Sequence, residues 1–214
     1  VLDVAAPLMN KDSAGKSSVT VEQEPHQLAL RIKPIDGANF ENFYVSADNA
    51  LAVSALNTCL QSQVDKAESA QADFIWLHGG ESVGKSHLLQ ALYRKACDLN
   101  VLAAYLPLAE LVEKSPAALF EDLSGHQLLC IDNIDAVIGQ DEWEKALFNL
   151  YNSAILGNFS IILCGRVPVS ALNVKLPDLH SRLMSFAQFA LRPLSDEDLG
   201  DEEDAAEGAD TEAA

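Results

Sequence analysis

The chain has 214 residues, 49% of them hydrophobic, which is enough for one α/β core with tails and too little for two full domains. Its formal charge of −18 is uneven, because ten acids and no Lys or Arg lie between Ser195 and Ala214, leaving the remainder near −8. A surface of that sign does not attract a phosphate backbone, so general affinity for DNA is expected to be weak.

In chain order, residues 1–26 are polar and without periodicity and read as a disordered segment. Residues 27–39 hold a short motif and a linker with Pro34 and Gly37, and the globular part is expected over 40–194. A helix near 48–64 opens it, with Ala, Leu and Val at helical spacing. Strand 74–78 follows, then helix 85–99, strand 101–106, a helical stretch 108–123 and strand 127–131. Helix 141–156, strand 159–164, helix 177–184 and a last strand near 186–191 complete the series. Five strands alternating with helices predict an α/β fold, a parallel sheet covered on both faces. Residues 195–214 form an acidic, Ala-rich tail expected to stay solvated.

Cys59, Cys97, Cys130 and Cys164 lie far apart, with no C-x-x-C pair and no His at metal-ligand spacing, so reduced thiols in a cytoplasmic protein are expected. The longest apolar runs are too short to span a bilayer, and the opening residues lack the basic segment of a secretion signal.

The most informative stretch is Gly79-Gly80-Glu81-Ser82-Val83-Gly84-Lys85-Ser86, which fills every fixed position of G-x-x-x-x-G-K-[ST]. It sits between an apolar strand and a helix, the context in which such a loop cradles phosphates. The glycines let backbone N–H groups approach the anion, Lys85 reaches the outer phosphates, and Ser86 offers a hydroxyl to Mg²⁺. Leu128-Leu-Cys-Ile-Asp132 reads as the partner strand whose terminal acid holds the water shell of that ion. Asn133 follows where a carboxylate would polarise an attacking water, and an amide is no base, so slow hydrolysis is expected unless Asp135 or a partner compensates. Arg182, late in the sheet region, is either a solvated helix residue or a charge projected towards a neighbour's γ-phosphate. Gln27-Leu28-Ala29-Leu30-Arg31-Ile32 reads equally as a short docking strand or as an extended peptide for a partner's pockets.

Together these residues resemble the DnaA/Hda branch of the AAA+ ATPases. The loop continues as Gly-Lys-Ser-His87-Leu-Leu-x-Ala91, and Asn39-Phe40-Glu-Asn42-Phe43 is similar to the F-x-N-F segment that lies by the adenine in that branch. Cys130-Ile-Asp-Asn-Ile-Asp, Glu142-Trp-Glu with Tyr151-Asn152, Leu176-Pro-Asp-Leu-x-Ser-Arg-Leu and Arg192-Pro-Leu-Ser-Asp-Glu-Asp are nearest to the Hda members. The resemblance covers roughly residues 27–198. It implies an AAA+ P-loop NTPase core with ADP or ATP and Mg²⁺ as cofactors, Phe43 and His87 beside the nucleotide, and little ATPase activity of its own. It further implies that Gln27, Leu28 and Leu30 dock on the replication sliding clamp and that Arg182 is the finger offered to DnaA's ATP. DNA would be met only through the clamp, no membrane is involved, and self-assembly is left open. The implied role is a negative regulator of replication initiation. A helicase loader resembling DnaC, another small AAA+ ATPase, or a non-catalytic nucleotide-binding module are the alternatives. Two departures stand out: Arg166 occupies a position usually held by Asp, and an acidic tail stands where the family continues into a helical lid.

Overall fold

The computed structural model describes residues 37–65, 71–121, 123 and 125–193. The segment 1–36, with Gln27, Leu28 and Leu30, and the tail from 194 lie outside the described residues.

The architecture follows from central strands that are apolar on both faces and so must be covered on both. Strands β1 (Phe74–His78), β2 (Ala103–Pro107), β3 (Leu128–Asp132), β4 (Ser160–Gly165) and β5 (Ala187–Ala190) form one sheet in the order β2-β3-β4-β1-β5. All four pairings are parallel. Every residue of β3 and β4 is buried, as expected of central strands covered on both sides. The α/β reading and its five parallel strands are therefore borne out.

On one face lie α1 (Ala50–Asp65) and α2 (Lys85–Asp98), with Leu56, Leu60, Leu88, Leu89 and Leu92 packed on Ile75, Leu77, Cys130 and Ile162. The buried positions of α1, Ala52, Leu56, Cys59, Leu60 and Gln63, recur at helical spacing and form one stripe, with Gln63 donating to Ser160 Oγ. On the other face are α3 (Leu108–Leu111), α4 (Pro116–Glu121), α5 (Asp141–Gly157) and α6 (Pro177–Met184), packed around Trp76. Trp76 is fully buried, and its indole N–H donates to Val167 O at 3.1 Å.

Local chemistry explains most element ends. Asn158 closes α5 in the left-handed conformation, and Phe159 N–H returns to Ala154 O at 3.2 Å. Asp141, Glu142 and Glu144 place negative charge in the first turn of α5, where the helix dipole favours it. Pro177 opens α6 at a position whose N–H has no helical partner. The expected helical stretch 108–123 is corrected to two short helices. Pro116 disfavours helical backbone at Ser115 and starts α4 afresh. Strand β2 begins at Ala103 rather than 101, because Asn100 takes a positive φ of 58° and the chain turns there. No helix among the described residues is long and apolar enough to cross a membrane.

Candidate functional site

The carboxyl ends of β1, β3 and β4 converge, and in open α/β sheets that edge is where ligands bind. Gly79 leaves β1 so close to the main chain at Leu191 that a Cβ there would collide with Leu191 O. Ser82 adopts a positive φ of 59°, and Gly84 follows at 92° as the residue capping α2. A Cβ on Gly84 would stand 2.6 Å from Phe43 Cε2, so this glycine meets two demands, left-handed backbone and close approach. No side chain caps the start of α2, which leaves its first-turn N–H groups to an external acceptor. Lys85 Nζ donates to Gly79 O at 2.8 Å and also to Gly80 O, folding the cation over the loop. Ser86 and His87 are half-buried in the first turn of α2.

The segment before α1 closes one side of this loop. Asn39 and Asn42 exchange side-chain to backbone hydrogen bonds of 3.1 and 2.8 Å, forming a compact turn. Asn39 O lies 2.9 Å from His87 Nε2, and the His87 and Phe43 rings are 5.6 Å apart between centroids. Phe43, distant in sequence, thus forms one wall with Gly84 and His87.

Asp132 ends β3 at 1% exposure. Its Oδ2 accepts the Tyr105 hydroxyl at 2.9 Å, and its Oδ1 accepts Asn133 N–H at 2.8 Å. Cys164 on β4 lies between this acid and the loop. Burial pushes its thiol well up, Asp132 adds to the rise, and Lys85 opposes it. His78, at the end of β1, is held below its ordinary range by burial first and by the Lys85 charge second. Asn133 is exposed with a φ of 56°. Asp135 Oδ2 is engaged by Arg166 N–H at 2.8 Å, and the Arg166 guanidinium pairs with Glu81 of the loop at 3.1 Å.

Arg182 is exposed on α6, on the opposite face of the sheet from α2, with its guanidinium over the Tyr151 ring at 5.5 Å. It is not brought together with the residues around Lys85. A cavity of about 700 Å³ between α4 and α5 includes none of the candidate nucleotide- or metal-binding residues. Its apolar lining of Pro116, Phe120, Leu150 and Phe159 offers no phosphate chemistry, and the loop geometry is the better guide.

Among the described residues no group of three or more His, Cys, Asp or Glu could hold a metal ion. The donors at hand, the Ser86 hydroxyl and the Asp132 carboxylate, are hard oxygens. That set fits Mg²⁺, which keeps several waters and takes further ligands from phosphates. The sequence assigned no role to Tyr105, Gln90, Glu81 or Glu144. The available signal was a polar residue at a core position, as Gln90 is within the apolar run of α2.

Residues 36–191 match the model of the bacterial DnaA ATPase domain. A protein of Haemophilus influenzae without an assigned role is 37% identical over 172 residues, spanning 80% of this chain and 71% of its own length. Among solved structures, AMPPCP-bound DnaA from Aquifex aeolicus is similar with a TM-score of 0.69 and 20% identity, covering 85% of this chain. This chain spans 58% of that DnaA. DnaI is similar at a TM-score of 0.60 and 14% identity, over 73% of this chain. On the domain match and the shared fold, the chain belongs to the bacterial DnaA ATPase domain family of AAA+ proteins.

Proposed function

We propose that this chain binds ADP or ATP at the loop 79–86 and acts as an Hda-like regulator that stimulates hydrolysis of DnaA-bound ATP. The observation that carries the nucleotide reading is the open start of α2, with Gly84 left-handed, Lys85 over the loop and Phe43 beside it. Backbone N–H groups and the helix dipole there favour a diphosphate. AMPPCP bound to the similar Aquifex DnaA supports the same assignment. Ser86 and, through water, Asp132 would hold Mg²⁺, which when bound neutralises phosphate charge. Gly79, Gly80 and Gly84 allow the backbone approach, and Phe43 with His87 would flank the base.

Slow turnover follows from the chain's own residues. Asn133 carries no base, and Asp135 is committed to the Arg166 N–H. Arg182, exposed and steered by Tyr151, is the group proposed to meet DnaA's ATP, where a fixed charge stabilises phosphoryl transfer. Gln27, Leu28 and Leu30 are proposed as the anchor on the DNA polymerase sliding clamp. Steady-state hydrolysis separates this reading from that of an autonomous AAA+ ATPase such as a loader resembling DnaC.

The test is a nucleotide thermal-shift series followed by reconstitution with clamp, DNA and ATP-loaded DnaA. Wild type should be stabilised by Mg-ADP, and Lys85→Ala should lose most of that shift, since ligand binding to the native state raises its stability. Arg182→Ala should keep the shift and clamp capture yet lose stimulation. An Arg182→Ala protein that stimulates normally would rule out the finger, and an absent nucleotide shift in wild type would rule out the binding site.

A further inference from the structure

A directional chain of buried hydrogen bonds ties α2 to Asp132. Gln90, 4% exposed and one turn beyond Ser86, donates from Nε2 to the Tyr105 hydroxyl oxygen at 3.1 Å. Tyr105, 8% exposed on the edge strand β2, donates in turn to Asp132 Oδ2 at 2.9 Å. The direction is forced. A carboxylate only accepts, so the phenol must spend its one proton on Asp132 and accept from whatever stands behind it. The amide NH₂ of Gln90 fills that place among the described residues. Among the described residues Asp132 forms no ion pair, so these neutral donors and Asn133 N–H hold its orientation. The Tyr105 ring is itself packed 6.4 Å from Tyr93.

We infer that Tyr105, oriented by Gln90, is the positioning residue for Asp132 and thereby sets how tightly the nucleotide site takes up a divalent cation. The inference rests on the nucleotide reading above. A carboxylate acting through water on an ion depends on where its free lone pairs point, and partners behind such groups tune metal affinity strongly. Gln90 and Ser86 share one helix, so the donor set of the loop and that of β3 are registered through a single phenol. Phenylalanine at 105 fills the same space but leaves the Asp132 oxygen and the Gln90 amide each short of a partner.

The experiment measures ADP affinity of the full chain by calorimetry in EDTA and across a Mg²⁺ series. Tyr105→Phe should raise the Mg²⁺ midpoint about tenfold, with ADP affinity in EDTA unchanged within roughly twofold. Gln90→Met, which keeps the Tyr105 bond to Asp132, should raise it roughly threefold. A lower melting temperature with an unchanged Mg²⁺ midpoint would reduce the network to a structural one and overturn the inference. Should Tyr105→Phe not fold, Gln90→Met decides on the same criterion. Wild-type binding of ADP without Mg²⁺ dependence would overturn this inference alone. No ADP binding at all would overturn the nucleotide reading and this inference with it.

Discussion

Gly84 carries two constraints at once, and a single methyl group tests both. Alanine there must accept a φ of 92° and push against Phe43. Backbone strain and a displaced ring together should cost about 1–3 kcal/mol of stability, read by urea unfolding, and should weaken ADP binding. Gly80→Ala meets nothing within 4 Å and serves as the control that leaves stability nearly unchanged. His78 offers a test by pH. Its pKa is lowered in the folded state by burial and Lys85, so the unfolded chain takes up the proton first as pH falls. Stability is therefore intact above about pH 6.5 and declines as pH drops from there towards the folded-state value. Melting curves between pH 8 and about pH 5 should show a shallower acid decline for His78→Gln than for wild type. Equal slopes would show that the histidine titrates alike in both states.

Among the elements, α6 is positioned by its buried Leu179 and Leu183 and, at its start, by a carboxylate on α5. Glu144, 1% exposed, accepts Gly139 N–H at 2.8 Å, Lys175 N–H at 3.1 Å and Leu176 N–H at 2.7 Å. It fastens the turn before α5 and the approach to Pro177 in one contact, so the placement of Arg182 depends on it. Glu144→Ala leaves three backbone donors without an acceptor and should cost roughly 3 kcal/mol, a fall in Tm of about 10 °C for a domain of this size. Glu144→Gln retains one acceptor oxygen and should cost less. A Tm within a degree of wild type for the alanine variant would show that the turn finds other partners. Hydrogen exchange should locate the loosening at 172–177, while β1 and the loop after it stay protected.

For the molecule as a whole, thiol chemistry reports integrity. Cys59, Cys130 and Cys164 are buried beneath α1 and α2 or within the central strands, and Cys97 is exposed. Burial, with Asp73 adding to it, pushes the Cys59 thiol up to about 12, and burial drives Cys130 and Cys164 well up. Thiolate is the reactive form, so the native chain should label rapidly at Cys97 alone. The other three should react only on unfolding, with a mass increase that follows the loss of circular dichroism. Early labelling of Cys164 would mean that the sheet opens locally beside the loop 79–86.

The strand and helix alternation was legible chiefly from β1, β3 and β4, because strands buried on both faces leave short continuous apolar runs, whereas β5 is mostly exposed. The loop from Gly79 to Ser86 was legible for a related reason: phosphate chemistry demands glycine, lysine and hydroxyl at set spacings along one stretch of chain. What the residues alone could not decide was which distant groups meet. Sheet order sets β4 between β1 and β3, and only that order carries Arg166 to Glu81 and places Cys164 between Asp132 and Lys85. The Gln90–Tyr105–Asp132 chain joins α2, β2 and β3 across separations of 15 and 27 residues, so no local pattern announces it. Local composition dictates what each element is, because propensity and periodicity act over a few residues. Long-range packing dictates which side chains become neighbours, because hydrogen bonds and charges act through space.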